Sequence, residues 1–159
     1  MAWQQIGSDI DGEASWDYSG ESVTLSSDGS VVAIGATRND GNGKNSGHVR
    51  IFQNVNNSWV QIGSDIDGEA AGDEFGSSIS LSSDGTIIAI GAQENDGGGN
   101  ERGHVRIYEN VNGTWTQIGD DINGEGDGDS SGSSVSLSND GTIVAIGAEN
   151  NDDSDEDSG

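Results

Sequence analysis

The chain contains no cysteine and no proline. Without thiols it forms no disulfide and offers no thiolate as nucleophile or metal ligand, so cysteine usage says nothing about its redox compartment. Positive charge is scarce as well. Five Lys and Arg stand against 29 Asp and Glu, for a formal net charge of -24 over 159 residues. Such a balance repels nucleic acid and anionic membrane surfaces, and favours cations, basic partners or a salty medium. No apolar run reaches the about 18 residues of a membrane-spanning helix. The start MAWQQIGSD lacks the basic and apolar regions of a signal peptide. The expectation is either a protein that stays inside the cell or a piece of a longer secreted chain. Low hydrophobicity with high net charge is also the composition of disordered chains.

An internal repeat argues against disorder. Trp3, Trp59 and Trp115 are spaced 56 residues apart and open WQQIGSDIDGEA, WVQIGSDIDGEA and WTQIGDDINGEG. TLSSDGSVVAIGA is answered by SLSSDGTIIAIGA and SLSNDGTIVAIGA, and GHVRIFQNVNNS by GHVRIYENVNGT. No insertion or deletion disturbs the register. Low-complexity disorder does not hold Ile, Val, Trp and turn residues in phase in this way.

Each copy reads as four short strands. Val23 and Leu25 alternate with Ser22, Thr24 and Ser26, the period of a half-buried strand. Asp28-Gly29, Asp84-Gly85 and Asp140-Gly141 then supply hairpin turns, because both residue types tolerate positive φ. The run TIIAIGA over 86–92 is apolar on both faces and is expected between two layers. A Gly- and Asn-rich loop precedes the third strand, GHVRIYEN, and Asn112-Gly113 turns into the fourth, TWTQIGDDI. Four antiparallel strands in a unit of this length describe a propeller blade. The expected architecture is all-β: one array of four-stranded antiparallel blades over 1–159, with repeats 3–58, 59–114 and a truncated 115–159. Residues 150–159 form an acidic loop or tail, in which Gly159 aligns with Gly47 and Gly103. A fourth strand starts at Trp3, and two strands lie within Ser134 to Ala148. This makes two complete blades and a split one, an incomplete ring.

The order FG, SISLSSDGTIIAIGA, GHVRIYEN and W-x-QIG resembles the FG-GAP repeat family of integrin-like β-propellers. The middle copy carries Phe75-Gly76 and Gly91-Ala92, whereas the outer copies have Ser19-Gly20 and Ser131-Gly132, and no copy has the proline of GAP. The resemblance covers essentially the whole chain. It implies a surface or secreted adhesion or scaffold protein, extracellular, with a protein or glycan ligand.

In integrin-like blades, calcium sits in a long acidic loop between the first and second strands. Here that place holds only the Asp-Gly turn. DIDGEAAGDEFGSS, over 65–78, also fails the EF-hand pattern of alternating Asp with a Glu at the twelfth position. Ile66 nevertheless lies between Asp65 and Asp67, as Ile10 and Ile122 do in their copies. In an extended strand, the flanking carboxylates share a face about 7 Å apart. Two readings stand. Each copy holds a weak calcium site, formed by Asp9, Asp11, Glu13 and Asp17; by Asp65, Asp67, Glu69 and Asp73; and by Asp121, Asn123, Glu125 and Asp129. Alternatively these residues make a solvated acidic rim in which Asp and Gly serve turns.

Other conspicuous residues read as structural. The repeated Trp packs at the start of the outer strand rather than stacking a flat ligand. Trp16, which replaces Gly72 and Gly128 of the other copies, either caps the first copy or meets a partner. His48 and His104 read as polar residues at strand edges, and Arg50 and Arg106 as partners of nearby carboxylates. Asn56-Asn57-Ser58 and Asn112-Gly113-Thr114 match glycosylation sequons but equally a two-residue turn. The loop NDGGGN over 95–100 lacks the Lys-Ser/Thr of a phosphate loop.

The chemistry-bearing positions recur from copy to copy, which suits architecture or repeated binding better than catalysis. The expectation is a non-enzymatic binding, adhesion or scaffold module, with calcium as candidate cofactor and neither nucleic acid nor membrane insertion. Two alternatives remain: a structural protein closing a ring across chains, and a fragment of a propeller hydrolase. Exposed edges of such repeats invite pairing with another chain, so a homo-oligomer or a larger parent chain is expected.

The charge has a direct consequence. Self-repulsion destabilises the compact state, and at 0.15 M salt it is screened beyond about 8 Å. The thermal midpoint is expected to rise as NaCl goes from low to moderate concentration. A midpoint independent of salt in a melting series would contradict this.

Overall fold

A computed structural model describes residues 2–152, and the notions of an acidic tail and of Gly159 aligning with Gly47 and Gly103 therefore lie largely outside the described residues. The described chain is all-β, in three antiparallel sheets. The first comprises β1 (Ser19–Leu25), β2 (Val31–Ala36), β3 (His48–Val55) and β4 (Ser58–Gln61) in that order, with β5 (Ile66–Asp67) also pairing with β3. The second repeats it with β6 (Ser78–Leu81), β7 (Ile87–Ala92), β8 (His104–Val111), β9 (Thr114–Gln117) and β10 (Ile122–Asn123). The third pairs β11 (Ser131–Leu137) with β12 (Val144–Ala148). These are blade-like sheets, two complete and one two-stranded, and they do not close on themselves.

The outer strand of each complete blade differs from its sequence reading. It is continuous neither in TWTQIGDDI nor in its earlier counterpart. β4 pairs with Phe52 to Val55 of β3, and β5 pairs with His48 and Val49. Gly63, at φ +73°, breaks the strand between them, as Gly119 does at φ +75° in the second blade. The residues around Trp3 form no strand. Trp59 and Trp115 sit in hairpins with β3 and β8, but among the described residues no strand lies beside Trp3, which is 95% exposed.

The turns divide into two kinds. Asn56-Asn57 and Asn112-Gly113 have positive φ at both positions, the geometry of a two-residue hairpin turn. In the Asp-Gly turns only the glycine has positive φ. The aspartate is an acceptor instead: Asp84 Oδ1 takes hydrogen bonds from Ser82 Oγ, Thr86 N and Thr86 Oγ1 at 2.8, 3.0 and 2.7 Å. Asp28 and Asp140 do the same work in the other copies.

β2 and most of β7 are buried on both faces, as their apolar runs require. One core cluster lies between the first two sheets. Val31, Ala33, Val49 and Ile51 of the first meet Leu81, Ile88, Ile90 and Tyr108 of the second, with Ile66 and Phe75 between them. Phe75 is fully buried and meets the rings of His104 and Tyr108 edge-on, with centroids 6.5 and 6.4 Å apart.

Backbone hydrogen bonds join the sheets at both ends. The Asp-Gly turns are chained by Ser27 N to Ser83 O and Ser83 N to Asn139 O, at 2.9 and 2.8 Å. At the other end, Gly47 bridges Phe75 and Gly103 bridges Ser131. Between these, Ser22 Oγ donates to Gly76 O at 2.6 Å and Ser78 Oγ to Gly132 O at 2.7 Å.

β1 departs from the expected alternation. Ser22 and Thr24 turn toward the second sheet, and Val23 and Leu25 are 58% and 56% exposed. Their counterparts Ile79 and Leu81 pack on the first sheet, whereas no described sheet lies against β1 on the corresponding side. The contrast is testable. Phe75→Ala should lower stability by about 3–5 kcal/mol, whereas Val23→Ser should change it by less than about 0.5 kcal/mol. Urea melts in which the two variants lose equal stability would contradict the packing described.

Candidate functional site

The acidic segments do not gather as four ligands per copy. Their last member goes to structure. Asp17 is buried and accepts from Ala14 N and Asn39 Nδ2, both at 3.0 Å. Asp73 accepts from Ala70 N and Asn95 Nδ2, and Asp129 from Gly126 N and Asn151 Nδ2. Each therefore ties its own loop to the loop preceding the third strand or its counterpart. Their first members accept from a glutamine four residues earlier: Asp9 from Gln5, Asp65 from Gln61 and Asp121 from Gln117. Asp67 and Asn123 lie opposite His48 and His104 on the short outer strands. Asp11 offers its backbone oxygen to Arg50 Nη2 at 2.6 Å.

The structure regroups the remaining members across copies. Among the described residues, ligand atoms of three His, Asp or Glu side chains come within 4.8 Å of one another in two groups. One is Glu13, His48 and Asp65; the other is Glu69, His104 and Asp121. Glu125 belongs to neither. Each group takes its Glu from the loop before a blade's first strand, its His from the start of that blade's third strand, and its Asp from the strand break that follows.

The histidines are not the strand-edge polar residues that their sequence suggested. Both are 1% exposed. His48 Nδ1 lies 3.9 Å from Glu13 Oε2 and 3.8 Å from Asp65 Oδ2. His104 Nδ1 lies 4.0 Å from Glu69 Oε1 and 3.9 Å from Asp121 Oδ2. Burial lowers the pKa of His104 from its ordinary value and Arg106 adds to this, against the pull of Asp121, Glu69 and Asp73. The imidazole is therefore held in its neutral form. Nothing in the sequence marked these histidines beyond their recurrence in GHVR. The available signal was their register: each lies beside the alanine of an IGA strand, at Ala36 and Ala92, deep in a sheet.

The two groups differ in their arginines. Arg106 grips Asp121 with two hydrogen bonds, Nε to Oδ1 at 2.8 Å and Nη2 to Oδ2 at 2.7 Å, and also bonds Glu69 Oε2. Arg50 turns to the Asp11 carbonyl and leaves Glu13 Oε1 3.9 Å from its Nη1. Burial works to raise the pKa of Glu69, but hydrogen bonds from Arg106 and Asn95 bring it below the ordinary value. A neutral imidazole facing two carboxylates is a donor set for a cation.

Trp59 and Trp115 do structural work. Their indole N–H groups donate to Ile6 O and Ile62 O at 3.1 and 3.0 Å; the first fastens the N-terminal segment and the second the break between β4 and β5. Trp16 is exposed in a loop at φ +76°, beside a Tyr18 ring covered by the Arg38 guanidinium at 4.6 Å. Asn95, at the start of the Gly-rich loop, is buried and bonded to Glu69 and Asp73.

Sheets of this kind, packed with Gly35 against Gly76 and Gly91 against Gly132, define a propeller-type repeat. Residues 65–108 match the family model described as the FG-GAP repeat. The matched segment, which is similar to an FG-GAP repeat, contains Phe75-Gly76, Gly91-Ala92 and His104. No curated protein matches the chain.

Hydrogen bonds from Arg106 hold the Asp121 carboxyl at about 2, down from 3.8. A depressed carboxylate contributes stability above its unfolded value, and this is lost as pH falls from there through about 2. Arg106→Gln should return Asp121 toward its ordinary value and remove this part of the acid dependence. A carboxyl titration by NMR checks it, and an Asp121 pKa still at about 2 in the variant would contradict the assigned cause.

Proposed function

We propose that the protein is a non-enzymatic binding or scaffold module built from FG-GAP repeats. The observation that carries this reading is the recurrence of its chemistry. The Glu–His–Asp group of the first blade is repeated in the second by residues at equivalent positions. Hydrolases of the two-carboxylate kind need one acid and one base in unlike surroundings, whereas here one arrangement recurs. An extracellular setting with a protein or glycan ligand follows from the family's character. Calcium has weaker support, because the four residues suggested in each copy are divided between loop braces and the cross-copy groups.

A second reading, assembly between copies, is favoured by the exposed apolar side chains of the end sheets. Val23 and Leu25 at one end and Ile143 at the other are open to solvent, while equivalent side chains between the first two sheets are packed. Burying such surface stabilises by roughly 25 cal/mol per Å².

Native mass spectrometry of the 159-residue chain, run beside a screen with ester, peptide and glycoside substrates, tests both readings. Oligomers that Leu25→Asp converts to monomers, with no turnover, are expected. A compact monomer at micromolar concentration overturns assembly. Turnover abolished by replacing one carboxylate of a single copy overturns the non-enzymatic reading.

A further inference from the structure

A binding or scaffold role leaves one observation unexplained. His104 is enclosed, yet neither ring nitrogen has a hydrogen-bond partner. Burying a polar group without a partner is costly, and native proteins avoid it. In place of a partner, Nδ1 faces two carboxylate oxygens at 3.9 and 4.0 Å, beyond hydrogen-bond reach. His48 Nδ1 faces its two carboxylate oxygens in the same way, at 3.8 and 3.9 Å, whereas of the two histidines only His104 has both ring nitrogens buried without a partner.

These separations suit a shared ion. Ligand atoms about 2.0–2.1 Å from a tetrahedral zinc stand about 3.3 Å apart. Side-chain shifts of about 1 Å or less would close either group on such an ion and leave a fourth position for water. We propose that each Glu–His–Asp group is a site for one divalent transition-metal ion of the zinc class, held between the entry loop, the third strand and the outer-strand break of one blade. The nitrogen donor and the small ligand number argue against calcium, which takes six to eight oxygens.

The arginines rank the two sites. In the second, Arg106 already occupies the carboxylates as an internal cation, and an ion must displace it. In the first, Arg50 donates to the Asp11 carbonyl and approaches Glu13 Oε1 only to 3.9 Å, without a hydrogen bond to either carboxylate, and Glu13 Oε2, His48 Nδ1 and Asp65 Oδ2 face one another. Glu13 is 47% exposed, which opens a path for the ion. The first site is therefore the tighter one. Because Glu13 precedes β1 and Asp65 follows β4, the ion there ties the entry loop of the first blade to its outer strand.

Cobalt(II) reports the geometry through its visible absorption, and zinc competes with it. Titration of the full chain should give one strong equivalent with the intense bands of a four-coordinate ion, displaced by zinc and not by calcium at matched ionic strength. His48→Gln should weaken that equivalent by at least about tenfold. Glu13→Gln, at a side chain exposed enough to leave folding intact by circular dichroism, should do the same. Arg106→Gln should add a second strong equivalent. Weak six-coordinate absorption unchanged by His48→Gln, displacement by calcium, or no binding at micromolar cobalt would overturn the proposal. Failure of Arg106→Gln to add an equivalent would overturn the second site. None of these results bears on the mass measurement that tests assembly, so the two proposals fail separately.

Discussion

The structure depends on how closely consecutive sheets approach, and glycine sets that distance. A Cβ on Gly35 would stand 2.3 Å from the Gly76 carbonyl oxygen, and one on Gly91 2.2 Å from that of Gly132. No side chain fits in either gap. The glycines of the first two IGA strands, Gly35 and Gly91, thus lie under the Gly of the next copy's Phe-Gly or Ser-Gly pair, which explains why the two halves of the motif recur together. At this separation Ser22 and Ser78 can reach carbonyls of the following copy, and Phe75 fills the remaining space against His104 and Tyr108. Within each blade, the entry loop and the break in the outer strand bring a Glu and an Asp of successive sequence copies around one buried histidine.

Burial at these junctions reconciles an acidic chain with its fold. Most of the described carboxylates lie on loops and face water, where repulsion is screened. Those drawn inward are matched: Asp17, Asp73 and Asp129 by backbone and amide donors, and Asp121 by a bidentate guanidinium. A few arginines thus neutralise charge where water is least available. The Asp-Gly turns use carboxylates differently, as local acceptors whose pKa the neighbouring hydroxyl and amide donors lower.

Much of the fold was legible in the sequence. The 56-residue phase, the apolar runs of β2 and β7 and the Asn-Gly turn all translate one local pattern into one local structure. Three features were not legible because they depend on neighbours in space. The exposure of Val23 and Leu25 follows from the lack of a described sheet beside β1, and residues 22–26 read the same either way. The break at Gly63 and Gly119 was hidden because the strand pattern on both sides of the glycine is sound. The carboxylates were grouped by copy, as sequence order suggests, whereas the fold pairs the Glu of one copy with the Asp of the next across a histidine that looked unremarkable.

The chain of backbone bonds through the Asp-Gly turns has a direction. Ser27 donates to Ser83, and Ser83 donates in turn to Asn139. Each sheet presents a donor to the following one and an acceptor to the preceding one, and the paired glycines are likewise unequal, a β2 or β7 residue on one side and a strand-entry residue on the other. The two faces of a sheet are therefore complementary and not alike. Any contact between molecules that reuses these faces is heterologous: it closes into a ring when the rotation between sheets allows, and otherwise runs on as a filament. A two-membered ring is the case in which the turn from one molecule to the next is 180°, so that the end face of each meets the start face of its partner twice.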